Sequence, residues 1–222
     1  MNFQTFSDYV YYNFTFVWIF VIIVLIIIAF LFLNDSRKAP SPKLKKLCIG
    51  YFAFILSYAF TRIFFFFADY YGEYKSWEDS LEFLIFIKLG YISSSIGLAI
   101  FFYVLERDFV PTKFVLTSIT IISVVLYIFL PYNMMRIIIY IFQPIYLVEV
   151  LSIYIYLAIK GTGEIQRRAL YAIISLIIFF IGIILDIRAI TDLDIIPGFV
   201  APICVTIGLV LFHYSQKFSG EE

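Results

Sequence analysis

The sequence predicts an all-α polytopic membrane bundle of seven transmembrane helices, and three observations carry that reading. Of its 222 residues 63% are hydrophobic, with a mean hydropathy of +0.99, whereas a water-soluble domain uses about 45–50% apolar residues. Seven stretches are long and apolar enough to cross a hydrocarbon core of about 30 Å, which takes roughly 20 helical residues at about 1.5 Å each. Lys and Arg collect on alternate connections, the asymmetry that orients a multi-pass chain.

The first span, 14–33, follows Asp8 with no Lys or Arg before it. Its apolar run from Phe14 to Leu33 exceeds a signal-peptide core and passes straight into Asn34-Asp35-Ser36-Arg37-Lys38, so it is expected to stay in the mature protein. Ala39-Pro40-Ser41-Pro42, with Lys43, Lys45 and Lys46 after it, reads as a stop-transfer linker whose cations suit anionic headgroups. Spans 47–68 and 83–105 follow; the second of these carries Ser93 and Gly97 at the spacing that lets two helices approach closely. Spans 114–130, 135–158, 169–188 and 196–213 complete the set. Pro144 and Pro202 fall inside the fifth and seventh and are expected to bend them. The connections are too short for a soluble domain, so residues 1–222 are expected to form a single seven-helix membrane domain.

Arg37, Lys38, Lys43, Lys45, Lys46, Arg107, Lys113, Lys160, Arg167, Arg168 and Lys217 lie on one side of this layout, and only Lys75, Arg136 and Arg188 on the other. The N-terminus is therefore expected outside and the C-terminus inside, in a multi-pass protein of the cell membrane. Acidic residues (Asp69, Glu73, Glu78, Asp79, Glu82, Asp192, Asp194) mark the outer loops. Aromatic residues make up 21% of the chain, and Tyr9, Tyr11, Tyr12, Trp18, Tyr70, Tyr71, Tyr74, Trp77, Tyr132 and Tyr214 gather at span ends, where amphipathic rings settle at headgroup level.

Several chemistries lack their parts. The single histidine, His213, ends the seventh span, and Cys48 and Cys204 have no metal-binding spacing and read as buried small hydrophobes. The last span has no lysine for a retinal Schiff base, and no GxGD marks an intramembrane aspartyl protease. Neither enzymatic activity nor a cofactor, metal or nucleic-acid partner is expected.

Ionisable side chains inside a span cost roughly 2.5–3.5 kcal/mol at the helix centre, so each needs a partner or a purpose. Arg62 sits about 22 Å up the second span, roughly 8 Å below the outer surface, with Tyr58 at i−4 and Asp69 at i+7. Lys88 lies at a similar depth in the third span, with Tyr91 and Ser95 on its face, and Asp186 closes the sixth at the same level. Arg62, Asp69, Lys88, Tyr91 and Asp186 thus form one candidate outer layer: an ion-pair network, a ligand pocket, or cations snorkelling to the headgroups. Glu149 stands apart, near mid-membrane, on a face with Tyr146, Ser152 and Tyr156; it reads as a buried acid or a proton-coupled site.

Ser57-Tyr-Ala-Phe-Thr-Arg62-Ile-Phe through Asp69-Tyr70, Lys88-Leu-Gly-Tyr91 running to Leu105-Glu106, and Lys160-Gly-Thr-Gly-Glu164-Ile-Gln-Arg167-Arg168-Ala169-Leu170 are similar to stretches of small, uncharacterised seven-span membrane proteins of archaea. The last stretch also resembles the loop before the sixth helix in the seven-span sensory modules of some prokaryotic histidine kinases, although no kinase segment lies within these 222 residues. The resemblance implies a seven-helix fold and assigns no residue a role. The expected function is a receptor-like or sensory module that takes a small-molecule ligand from the outer side and signals to an inner-side protein, with membrane lipid as its solvent. The alternatives are a proton-coupled small-solute transporter using Glu149 and a structural subunit of a membrane complex.

Overall fold

A computed structural model describes residues 15–71, 80–110, 112–186, 197 and 199–217, and every regular element among them is helical. In chain order the helices are α1 (Thr15–Lys38), α2 (Pro42–Asp69), α3 (Leu81–Asp108), α4 (Val115–Phe129), α5 (Tyr132–Lys160), α6 (Glu164–Leu185) and α7 (Val200–Gln216). Five of them, all except α4 and α7, are long and apolar enough to cross a membrane. The chain therefore fits a membrane protein built as a helical bundle, and each of the seven apolar stretches corresponds to a helix.

Helix ends follow local chemistry more closely than hydropathy. The polar run Asn34–Lys38 continues α1, because helical hydrogen bonding does not stop where apolarity does. Ser41 caps α2 by accepting the Leu44 N–H at 3.3 Å, and Pro42 takes the first helical position, where its missing N–H costs nothing. The expected linker is thus a cap. Pro202 likewise falls in the first turn of α7, since that helix begins at Val200 and not at 196; an N–H there has no helical partner, which removes the reason for the expected bend. Pro144 does lie inside its helix, α5.

The chain divides into two compact units, Met1–Phe142 and Gln143–Glu222, with the boundary inside α5 beside Pro144. In the first unit α1, α2, α3 and α4 pack in sequence as antiparallel neighbours. Trp18 meets Arg62 and Phe32 meets Tyr51 across α1 and α2. Across α2 and α3 the Ser93 hydroxyl donates to the Ser57 carbonyl at 3.0 Å, and the Thr61 hydroxyl to the Gly90 carbonyl at 3.1 Å. A Cβ on Gly97 would clash with the Ser57 side chain and come 3.1 Å from the Ala53 carbonyl oxygen, so the small-residue spacing of the third span does bring two backbones together. The start of α5 closes the unit, with Met135 and Ile139 packed on Tyr127, Tyr91 and Ile92.

The second unit joins α6 and α7 over Ala172, Leu176 and Phe179 on one side and Ala201, Val205 and Leu209 on the other. A Cβ on Gly208 would lie 2.6 Å from the backbone nitrogen of Phe179, which requires glycine there. Phe212 of α7 also meets Tyr154 of α5 edge to face, 5.9 Å between centroids.

α4 is built inside out. Thr117, Thr120, Ser123 and Tyr127, spaced one turn apart, are buried, while Val115, Ile121, Ile122, Val125, Ile128 and Phe129 are exposed. A helix in water does the reverse; apolar side chains facing outward suit lipid.

Candidate functional site

Within the first unit two charged residues of α3, Lys88 and Glu106, serve its neighbour α4. α4 has no side-chain cap of its own: Phe114 occupies the cap position with φ 61°. Glu106 supplies the cap from α3. One carboxylate oxygen accepts the Leu116 N–H at 2.9 Å and the Thr112 hydroxyl at 2.6 Å; the other accepts the Thr117 N–H at 2.9 Å and the Thr117 hydroxyl. Those amides are the ones a capping side chain satisfies, and a negative charge there matches the positive end of the helix dipole.

The same bonds secure the turn between the helices, in which consecutive residues Lys113 and Phe114 both adopt the left-handed conformation, at φ 53° and 61°. That conformation costs an L-residue roughly 1–2 kcal/mol. Four hydrogen bonds to one buried carboxylate, together with Phe114 stacked on Tyr103 at 5.7 Å, offset the cost.

At the opposite end of α4, Lys88 Nζ donates to the Leu130 carbonyl at 2.8 Å. Leu130 is the C-cap residue, and Pro131 follows it. A cation on the last carbonyls matches the negative end of the dipole. Tyr91, one turn further along α3, packs its ring against Phe65 at 5.1 Å and Tyr127 at 6.1 Å. Lys88 and Tyr91 therefore meet in the α3–α4 seam, as their shared helix face suggested.

Arg62 turns the other way, toward α1. It is 8% exposed; its guanidinium carbon lies 3.6 Å from the Trp18 ring centroid, and Nε donates to the Tyr58 hydroxyl at 3.1 Å. The i−4 tyrosine is thus a genuine partner. Trp18, which its position assigns to an aromatic belt, is also a stacking platform in the α1–α2 seam. A cation on a desolvated indole face is worth about 2 kcal/mol, enough to offset much of the cost of placing Arg62 there. Asp69 ends α2 and is exposed.

Glu149 and Asp186 belong to the second unit. Glu149 is buried together with Tyr146, Val150 and Ile153, whereas Ser152 and Tyr156 are exposed, so the face drawn for it from spacing is correct only at Tyr146. Asp186 follows the last residue of α6, its backbone N–H donating to Gly182 and Ile183. Arg188, Lys75, Trp77, Asp192 and Asp194 lie outside the described residues. Cys48 is buried and Cys204 half-buried, both as free thiols. Among the described residues no three His, Cys, Asp or Glu side chains gather to hold a metal ion.

Sequence reasoning missed Glu106 and the hydroxyl stripe it begins. The available signal was Thr117, Thr120, Ser123 and Tyr127 at helical spacing in an otherwise apolar span. No family model, curated protein or solved structure matches the chain.

Proposed function

We propose that the protein is a receptor-like seven-helix module of the cell membrane, N-terminus outside and C-terminus inside, and that Arg62 reads an anionic group on a small ligand from the outer side. The observation that supports this reading is the arrangement of Trp18, Tyr58 and Arg62. A guanidinium stacked by its face directs its N–H donors in its own plane, parallel to the ring, the geometry with which arginine reads carboxylate or phosphate. A ligand drawing on that edge perturbs the stack, and α1 and α2, which carry it, lead to the basic inner end where a signalling partner would dock.

The orientation rests on the cation bias, and the antiparallel order accords with it. In the first unit Arg37, Lys38, Lys43, Lys45, Lys46, Arg107 and Lys113 all fall where α1 and α3 end and α2 and α4 begin. Lys46 and Asp108 pair at that end, at 3.4 Å.

Trp18 provides the assay. The chain has two tryptophans, so Trp77→Phe leaves Trp18 as the emitting residue. In nanodiscs, titration with mono- and dicarboxylates and inorganic phosphate is expected to shift Trp18 emission saturably, and Arg62→Gln to abolish the shift. Unchanged emission throughout the series overturns the reading. Proton-driven uptake into liposomes that is lost in Glu149→Gln would establish the carrier instead.

A further inference from the structure

The turn between α3 and α4 is built against local preference. Lys113 and Phe114 both take the left-handed conformation, at φ 53° and 61°, where a turn ordinarily uses glycine or asparagine. A bulky residue there is an outlier, and such outliers gather at functional sites, ligand clamps among them. The result is a ledge. The Phe114 ring stacks on Tyr103, 5.7 Å between centroids, and each of the two is 43% exposed. Val115, also exposed, continues the ledge onto the outward apolar face of α4.

Arg107 borders this ledge. Its Nη1 donates to the Tyr103 hydroxyl at 3.2 Å, which leaves the phenolic proton and the other guanidinium N–H groups as donors. In sequence Arg107 stands between two acids, and both are engaged elsewhere: Glu106 caps α4, and Asp108 pairs with Lys46 at 3.4 Å. Among the described residues no carboxylate pairs with Arg107 or with the exposed Lys113.

We propose that this corner binds an anionic phospholipid, its phosphate on Arg107 and the Tyr103 hydroxyl and its acyl chain along Phe114 and Val115. An exposed cation in water is satisfied by solvation, but this one adjoins a helix face whose apolar side chains suit lipid, so the anion at hand is a headgroup phosphate. Cation and phenol, then aromatic ring, then aliphatic side chain repeat the order of polarity in a phospholipid from headgroup to chain. The uncompensated charge of Arg107 and Lys113 favours an anionic lipid over a zwitterionic one. The site lies at the other end of the first unit from Arg62 and owes nothing to the anion reading of that residue.

The test is thermal unfolding of the full-length protein in a neutral detergent, titrated with dioleoyl phosphatidylglycerol, dioleoyl phosphatidylcholine or inorganic phosphate, since a ligand of the folded state raises the melting temperature by mass action. Phosphatidylglycerol is expected to raise it saturably and at lower concentration than phosphatidylcholine. Arg107→Gln should weaken the apparent phosphatidylglycerol affinity about tenfold, the scale of one charge-assisted hydrogen bond. Tyr103→Phe keeps the ring stack and should weaken it by a smaller factor. Lys45→Gln, at another exposed cation of the same end, should leave it unchanged. Wild-type affinity in Arg107→Gln overturns the proposal, and so does an equal loss in Lys45→Gln, which marks a diffuse charge effect. An equal shift from inorganic phosphate overturns the assignment to lipid. Native mass spectrometry gives an independent reading: a phosphatidylglycerol adduct that survives activation in the wild type and is lost in Arg107→Gln supports the site, and its survival in Arg107→Gln refutes it.

Discussion

Lys88 and Glu106 lie on one face of α3 and hold opposite ends of the same neighbour, the ammonium on the last carbonyl of the α4 turn and the carboxylate on its first amides. They are roughly 18 residues apart, about 27 Å along α3. α4 with its caps fits within that distance, and the signs of the charges match its dipole. The two costly charges of this segment thus have a structural account before any ligand is invoked.

Glu106→Ala strands the Leu116 and Thr117 amides and two threonine hydroxyls. Buried groups left unsatisfied cost about 1–3 kcal/mol. The melting temperature should fall by about 2–4 °C per kcal/mol. Glu106→Gln keeps an acceptor and should recover part of the loss; a Gln variant as unstable as Ala would show that the charge, not the hydrogen bonding, holds the turn.

Lys88→Met should be milder, about 0.3–1 kcal/mol, the usual value of a cation at a helix C-terminus. It should leave the anion-induced shift in Trp18 emission intact, because Lys88 faces α4 while Arg62 faces α1. Loss of that response in Lys88→Met would place both cations in one site.

Three glycines should rank by what an added methyl meets. At Gly50 the nearest atoms lie at 3.6 Å, so Gly50→Ala should be tolerated. Gly97→Ala meets the Ser57 side chain and should be rescued in part by Ser57→Gly. Gly208→Ala meets the backbone of Phe179 at 2.6 Å, which no rotamer change relieves, and should be the most damaging of the three. Detergent melts of the three variants check the order.

Glu149 is buried beside Tyr146. Glu149→Gln preserves shape and hydrogen-bonding capacity and should melt near the wild-type temperature, whereas Glu149→Ala leaves a void and should lose about 1–3 kcal/mol. Equal damage from both would indicate an ionised, paired carboxylate.

Tags at Ser41 and Gly161 should be reached only from inside the cell and a tag at Gly72 only from outside. Protection of the Gly72 tag on intact cells would reverse the orientation.

Much of the fold was legible because hydropathy is a long-range average: every apolar stretch became a helix, with errors only at the ends, where a cap such as Ser41 or a first-turn proline such as Pro202 decides. The site was less legible because it depends on pairs distant in sequence. Tyr58 was found at i−4 from Arg62, since helical spacing fixes it. Trp18 was not, since no rule within one helix links it to α2. Glu106 was missed for a different reason: it stands at the end of a span, and only the backbone of the following turn shows why it is buried.

The shortness of α4 sets a condition on the surrounding lipid. Its 15 residues extend about 22 Å, against the roughly 30 Å of an average hydrocarbon core. Clamped at both ends to α3, it has little freedom to tilt or lengthen, so in the proposed seven-span arrangement the bilayer would adapt by thinning beside it, at a fraction of a kcal/mol for each ångström of mismatch. In that arrangement acyl-chain length becomes a variable that acts on the short helices of the protein more than on the five long ones.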